Sequence, residues 1–326
     1  MRYRPTRRCR RTGRLREPGV QCHVSTRWSE SNVPMWVHEK GKLDMPPTAQ
    51  SHMNSRRSIL GLLLLAAFFS SVGHAQTPPV RMSPADSPYP DVAGAQWTKI
   101  EGANGRKFLT AILRPEGVGP FPVVVGLHSA GGLTRGNLSA AEDVARAGFL
   151  VVYGCWQAGN RQNEGNRLCS EASPQAEWAG DPAPHSGKEL IGLARTLPGA
   201  RADRIGLFGI SRGGYAALWA ASTGAGVQAV VVDAAAHTPA LSPHPSEKTL
   251  DVLAGLAAPL LMMHGTADPE VPVEQSREYE RAARVLGKPI VVAYFEGLGH
   301  QVSLTKESQA KARQRGIAFL RENLLK

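Results

Sequence analysis

Arg204-Ile205-Gly206-Leu207-Phe208-Gly209-Ile210-Ser211-Arg212-Gly213-Gly214 is the stretch on which the reading of this chain turns. Ile205 to Ile210 is an apolar run of strand type, and it feeds into Gly-x-Ser-x-Gly. An Ala-rich helical run, Tyr215 to Ala221, follows. In a strand–turn–helix setting this pattern is a nucleophile elbow. The turn is so tight that the serine takes a strained backbone conformation and its hydroxyl is pushed into solvent. Glycines flank it because side chains at 209 and 213 would collide with the neighbouring strand and helix. Ser211 is the candidate nucleophile, with a plain turn serine as the bland alternative.

A serine needs a base to take its proton, and the base needs a third group to orient it. Ala258 to Gly265 is a buried-strand run that ends in Thr266-Ala267-Asp268-Pro269-Glu270-Val271-Pro272. Pro289 to Phe295 is another, ending in Glu296-Gly297-Leu298-Gly299-His300. The chain order is therefore Ser211, Asp268, His300, each placed directly after an apolar strand. Asp268 could instead cap a helix beginning near Val273, and Asp233, after the strand Val227 to Val232, is the rival acid. His300 stands out among ten histidines because it follows the last strand in a glycine-rich loop. His185, His237 and His244 lie in loops.

A tetrahedral intermediate also needs fixed N–H donors for its oxyanion. The early strand Phe121 to Leu127 opens into His128-Ser129-Ala130-Gly131-Gly132, similar to the His-Gly-Gly-Gly loops of esterases. The expected donors are the backbone N–H groups of Ala130 and of Arg212, the residue after the nucleophile.

On these segments the chain resembles the dienelactone hydrolase-like branch of the α/β-hydrolase fold, from roughly Val80 to Leu325. Asp203-Arg204-Ile205 to Tyr215, His264-Gly265-x-x-Asp268-x-x-Val271-Pro272 and Gly299-His300 carry the likeness. The resemblance implies an α/β fold with a mostly parallel sheet and helices on both faces. It also implies a Ser211–His300–Asp268 triad working through an acyl-enzyme. The founding dienelactone hydrolases use cysteine where this chain has Ser211, which favours ordinary carboxylic esters or related acyl compounds over dienelactone. Two rivals stand beside that reading. One is a peptidase of the prolyl-oligopeptidase type, which usually carries a large extra domain, and the other is a non-catalytic binding relative.

The chain carries 38 Lys/Arg against 27 Asp/Glu, a net of +11. The excess is local: beyond residue 75 only 25 basic residues face 23 acidic ones. A nucleic-acid partner therefore loses its main support. Ser55-Arg56-Arg57-Ser58 followed by the apolar Ile59 to Phe69 and Gly73-His74-Ala75 reads as a signal peptide, residues 55–75, implying a periplasmic or secreted product. The apolar run is short for a membrane span, so no stable membrane insertion is expected after cleavage. Residues 1–54 form an Arg-rich leader without hydrophobic periodicity. It is expected to be a disordered extension, or to lie upstream of a true start at Met53.

Cys155 and Cys169 bracket a polar insert and, beyond a signal peptide, suggest a disulfide. No His-Glu-x-x-His or Cys-x-x-Cys spacing is present, and Gly126 to Gly136 lacks a phosphate-loop ending. Neither a metal nor a cofactor is expected, and the partner is a small ester or acyl substrate. Residues 76–90 read as a Pro-rich linker and 91–326 as one catalytic domain. It opens with a hairpin (Trp97 to Ile100, Lys107 to Leu113) and continues as alternating strands and helices. Two irregular stretches, 156–186 and 237–256, are expected to roof the site. His128 (also a scaffold candidate for its loop), Trp156, Trp178 and His237 are the candidate pocket residues.

Overall fold

Side-chain alternation explains why the strands read as unbroken apolar runs. In β4 (Phe121–Leu127), Val123, Val125 and Leu127 enter one hydrophobic core and Val124 enters a second. β5 (Leu150–Gly154), β6 (Ala200–Ile210), β7 (Ala229–Asp233) and β8 (Leu260–Gly265) divide in the same way. The first core is covered by α2 (Ala183–Ala194), α3 (Arg212–Ser222), α4 (Pro245–Gly255) and α5 (Glu274–Leu286). The second is covered by α1 (Arg135–Arg146) and α6 (Gln309–Leu324). A parallel sheet covered on both faces needs apolar residues at every position. The computed structural model describes residues 81–89, 92, 94–102, 105, 107–157, 169, 183–236 and 245–326. The leader, the signal peptide, Trp178 and His237 lie outside the described residues.

β1 (Arg81–Pro84), β2 (Ala95–Glu101), β3 (Lys107–Leu113) and β9 (Ile290–Phe295) complete a sheet of order β1-β2-β3-β5-β4-β6-β7-β8-β9. β1, β2, β3 and β5 pair antiparallel, and every pairing from β5 across to β9 is parallel. This is the α/β fold with a mostly parallel sheet that the sequence implies. Ile210 lies opposite Asp233, Asp233 opposite Met263, and Met263 opposite Ala293. The C-terminal ends of four strands therefore finish along one edge of the sheet, where ligands bind in α/β architectures.

Two elements depart from the sequence reading, Arg81–Pro84 and Pro245–Gly255, and the start of α1 is fixed by a cap. Arg81–Pro84, inside the stretch read as linker, pairs with β2, and its proline lies in the edge strand, where an N–H is dispensable. α1 starts at Arg135 because Thr134 caps it: the Thr134 hydroxyl accepts the Asn137 N–H, and the Asn137 side chain accepts the Thr134 N–H. Pro245–Gly255, within a stretch expected to be irregular, is helical, and its Leu253 is buried in the first core.

Candidate active site

β6 is followed by a residue with a backbone that L-amino acids rarely adopt: Ser211 has φ 53° and ψ −118°. Strain of this kind costs about 1–3 kcal/mol and persists only where the surroundings enforce it. Here the Ser211 N–H donates to the Asp233 carbonyl at 2.8 Å, and the Ala236 N–H donates to the Ser211 carbonyl at 3.2 Å. A Cβ on Gly209 would lie 2.4 Å from the Gly213 carbonyl oxygen, and one on Gly213 would lie 2.0 Å from the Leu127 carbonyl oxygen. Both contacts are with backbone that cannot swing away. Gly213→Ala is therefore expected to destabilise the fold by about 3 kcal/mol or more, read as a lowered urea midpoint at unchanged slope.

β8 and β9 are neighbours, and their exit loops are stitched together. The Thr266 N–H donates to the Phe295 carbonyl (3.0 Å), the Ala267 N–H to the Leu298 carbonyl (2.9 Å), and the Gly297 N–H to the Thr266 hydroxyl (2.8 Å). A Cβ on Gly265 would meet the Leu298 carbonyl at 2.2 Å, so the loops approach closely only because residue 265 is glycine. This stitching brings Asp268 to His300, whose Nδ1 lies 2.7 Å from Asp268 Oδ2. The other oxygen, Oδ1, accepts the N–H groups of Glu270 (2.8 Å) and Val271 (2.9 Å). α5 begins after Val273, so Asp268 is not its cap.

His264, fully buried beneath, donates from Nε2 to the Val271 carbonyl (2.8 Å), and the same nitrogen lies 3.3 Å from Asp268 Oδ2. Burial opposes ionisation of Asp268. The hydrogen bonds from His264, His300 and the Val271 N–H outweigh it and hold the carboxyl well below the usual carboxylate range. For His300, burial favours the neutral ring, but the Asp268 hydrogen bond and charge, with help from Glu270, push it above the ordinary imidazole value.

Asp233 has a different task. Fully buried at the end of β7, it accepts the N–H groups of Val302 (3.2 Å) and Ser303 (2.8 Å) and the Ser303 hydroxyl. It thereby holds the chain just past His300 while Asp268 holds the ring. Burial pushes its carboxyl above the usual range, against the Ser303 hydrogen bonds.

Ser211 and His300 line one cleft of about 250 Å³ with Ser129, Ala130, Gly131, Thr134, Glu270 and Gln301. Among the described residues the His300 Nε2 has no hydrogen-bond partner, and Glu270 Oε2 lies 3.6 Å from it. Arg212 opens α3, where first-turn N–H groups have no acceptor within the helix. His128 and Trp156 do not line the cleft. Both are fully buried, their rings 5.6 Å apart, and Trp156 Nε1 donates to the His128 carbonyl at 3.2 Å. They support the loop from behind, because the exits of the adjacent strands β4 and β5 turn their side chains toward each other. Cys155 and Cys169 are joined by a disulfide, with Cα atoms 5.5 Å apart. Among the described residues no cluster suited to a metal ion occurs, and no helix is long and apolar enough to cross a membrane.

The model of the dienelactone hydrolase family matches residues 108–322, which span the elbow, both stitched loops and the segment leading to Ala130. The chain belongs to the dienelactone hydrolase family. A Bradyrhizobium protein named as a probable 2-oxo-3-(5-oxofuran-2-ylidene)propanoate lactonase is 26% identical over 212 residues, 63% of this chain and 82% of that one. A dienelactone hydrolase-like promiscuous phosphotriesterase from metagenomic libraries superposes with a TM-score of 0.57 at 17% identity, covering 71% of this chain and 99% of that one. An acylaminoacyl peptidase from Pyrococcus horikoshii superposes at 0.53 with 19% identity, covering 71% of this chain but 42% of that one. At such identities the solved structures speak for the fold alone.

Proposed function

We propose that this family member is an exported serine hydrolase that cleaves a carboxylic ester or a related acyl bond. One observation carries the reading. His300 lines one cleft with Ser211, its Nε2 makes no hydrogen bond within the described residues, and its Nδ1 is held by Asp268. A carboxylate only accepts, so Nδ1 carries the proton and Nε2 is the basic nitrogen. In this scheme Ser211 attacks the carbonyl carbon as Nε2 takes the hydroxyl proton. The N–H groups of Ala130 and Arg212 receive the oxyanion, and Nε2 then protonates the leaving alcohol. Water, activated by the same nitrogen, releases the acid. The lactonase relative supports an ester bond as the target, a lactone being a cyclic ester. Export rests on the 55–75 segment and on the disulfide, which belongs to oxidising compartments.

The test is pre-steady-state hydrolysis of 4-nitrophenyl acetate. The scheme predicts a burst of about one nitrophenolate per chain followed by slower turnover. A linear trace at the uncatalysed rate would favour the non-catalytic reading.

The charge beside the base sets the pH dependence. Catalysis needs neutral His300, so activity is lost as pH falls through its raised pKa. Glu270 is one of the groups raising it. Glu270→Gln is thus expected to move the acid limb of kcat/KM to lower pH, modestly because the lost charge is largely exposed. A pH–rate profile reads the shift, and a limb that stayed put or moved up would contradict the assignment.

A further inference from the structure

The Ser129 carbonyl accepts three hydrogen bonds. They come from His128 Nδ1 at 2.9 Å, Gln157 Nε2 at 3.0 Å and the Gly132 N–H at 2.9 Å. That carbonyl and the Ala130 N–H belong to the same peptide unit. The unit is planar and trans, so its C=O and N–H point in opposite directions. Fixing the oxygen from behind the loop therefore aims the hydrogen at the front, where Ala130 lines the cleft with Ser211 and His300. Donors on the oxygen also polarise the peptide and strengthen its N–H as a donor.

Gln157 is well placed for this work. It is almost fully buried, and it is the third residue after β5, two residues after Cys155. The Cys155 N–H is tied to the Leu109 carbonyl at 2.8 Å, and its sulfur is bonded to Cys169. Residues 156 and 157 thus grip two successive carbonyls of the loop, Trp156 that of His128 and Gln157 that of Ser129. His128 supports the same oxygen from a fully buried ring. Burial first, and the Arg212 charge in addition, lower its pKa to about 4, so it stays neutral near pH 7 with its proton on Nδ1.

We infer that Gln157 is a positioning residue that aims and strengthens the Ala130 N–H as an oxyanion donor by holding the carbonyl of the same peptide. This rests on the serine-hydrolase reading above and adds to it the residue that sets one of its donors.

The test compares wild type with Gln157→Leu in the full-length protein. The expected result is a fall in kcat of about ten-fold, short of the hundred-fold or more seen when an oxyanion donor is lost outright. KM should stay within about two-fold, because ground-state binding does not use the donor fully. The inhibition constant of a trifluoromethyl ketone, whose hemiketal oxygen occupies the same position, should rise by the same factor as kcat falls. Melting temperature controls for the fold. If Gln157→Leu does not fold, Gln157→Glu keeps the shape but faces the Ser129 carbonyl with a carboxylate, and it should lower kcat at least as far.

A separate readout does not depend on turnover. The Ala130 amide ¹⁵N resonance should move upfield in either variant as its carbonyl loses a donor. Unchanged kcat and inhibitor affinity, or an unmoved Ala130 resonance, would overturn the inference. Should Ser211 prove dispensable, the resonance still reports on Gln157, so the two failures are told apart.

Discussion

Replacing Ser211 by alanine is expected to lower kcat for a nitrophenyl ester by about a million-fold, with KM little changed and the melting temperature equal or higher. The fall in kcat follows from the chemistry: without the hydroxyl no acyl-enzyme forms, and His300 Nε2 has only water to activate. Some rate above background should survive, because the N–H groups of Ala130 and Arg212 still receive an oxyanion. The melting temperature should not fall, because Ser211 is held at φ 53° by backbone hydrogen bonds with Asp233 and Ala236, and these do not use the hydroxyl. Loss of activity through misfolding would instead lower the melting temperature, so calorimetry beside the kinetics separates the two causes.

The second large effect distinguishes two buried carboxylates. Asp268→Asn is expected to lower kcat by about ten thousand-fold. Oδ1 of Asp268 accepts two backbone N–H groups. The amide oxygen of asparagine must take that place, which turns its NH₂ toward His300. A donor there forces Nδ1 to accept, and the proton moves to Nε2, where it cannot receive another from Ser211. Asp233→Asn should cost only about ten-fold in kcat but several degrees of melting temperature, since its oxygens hold Val302 and Ser303 and not the imidazole. Equal losses in the two variants would mean that the pairing of His300 with Asp268 does not govern the base.

Much of the site was legible because its residues sit where strands end. Ser211 follows β6, Asp268 follows β8 by three residues and His300 follows β9 by five, and apolar strand runs are easy to find. The role of Asp233 was less so: it also ends a strand, and only the hydrogen bonds to residues 302 and 303 separate a loop anchor from an acid partner. His128 takes the scaffold place that was one of its two readings, whereas Trp156 lies outside the cleft, because an aromatic near a loop has the same signature whether it faces substrate or supports the loop from behind. Gln157 gave no signal at all. It is the second residue of a polar insert, and its value depends on the parallel pairing of β4 with β5, which periodicity does not reveal. His264 was part of a quoted motif, but its place under Asp268 arises from a strand and a turn folding over each other. The start of α4 had a usable sign, a proline in the first helical turn at Pro245, hidden among neighbouring prolines.

The most direct test is covalent capture. Incubating the protein with a fluorophosphonate and mapping the adduct by peptide mass spectrometry should place one phosphonyl group on Ser211, at a rate that falls with protonation of His300 and vanishes in His300→Ala. No adduct, or an adduct on another residue while ester hydrolysis proceeds, would contradict the assignment of Ser211 as a nucleophile activated by His300.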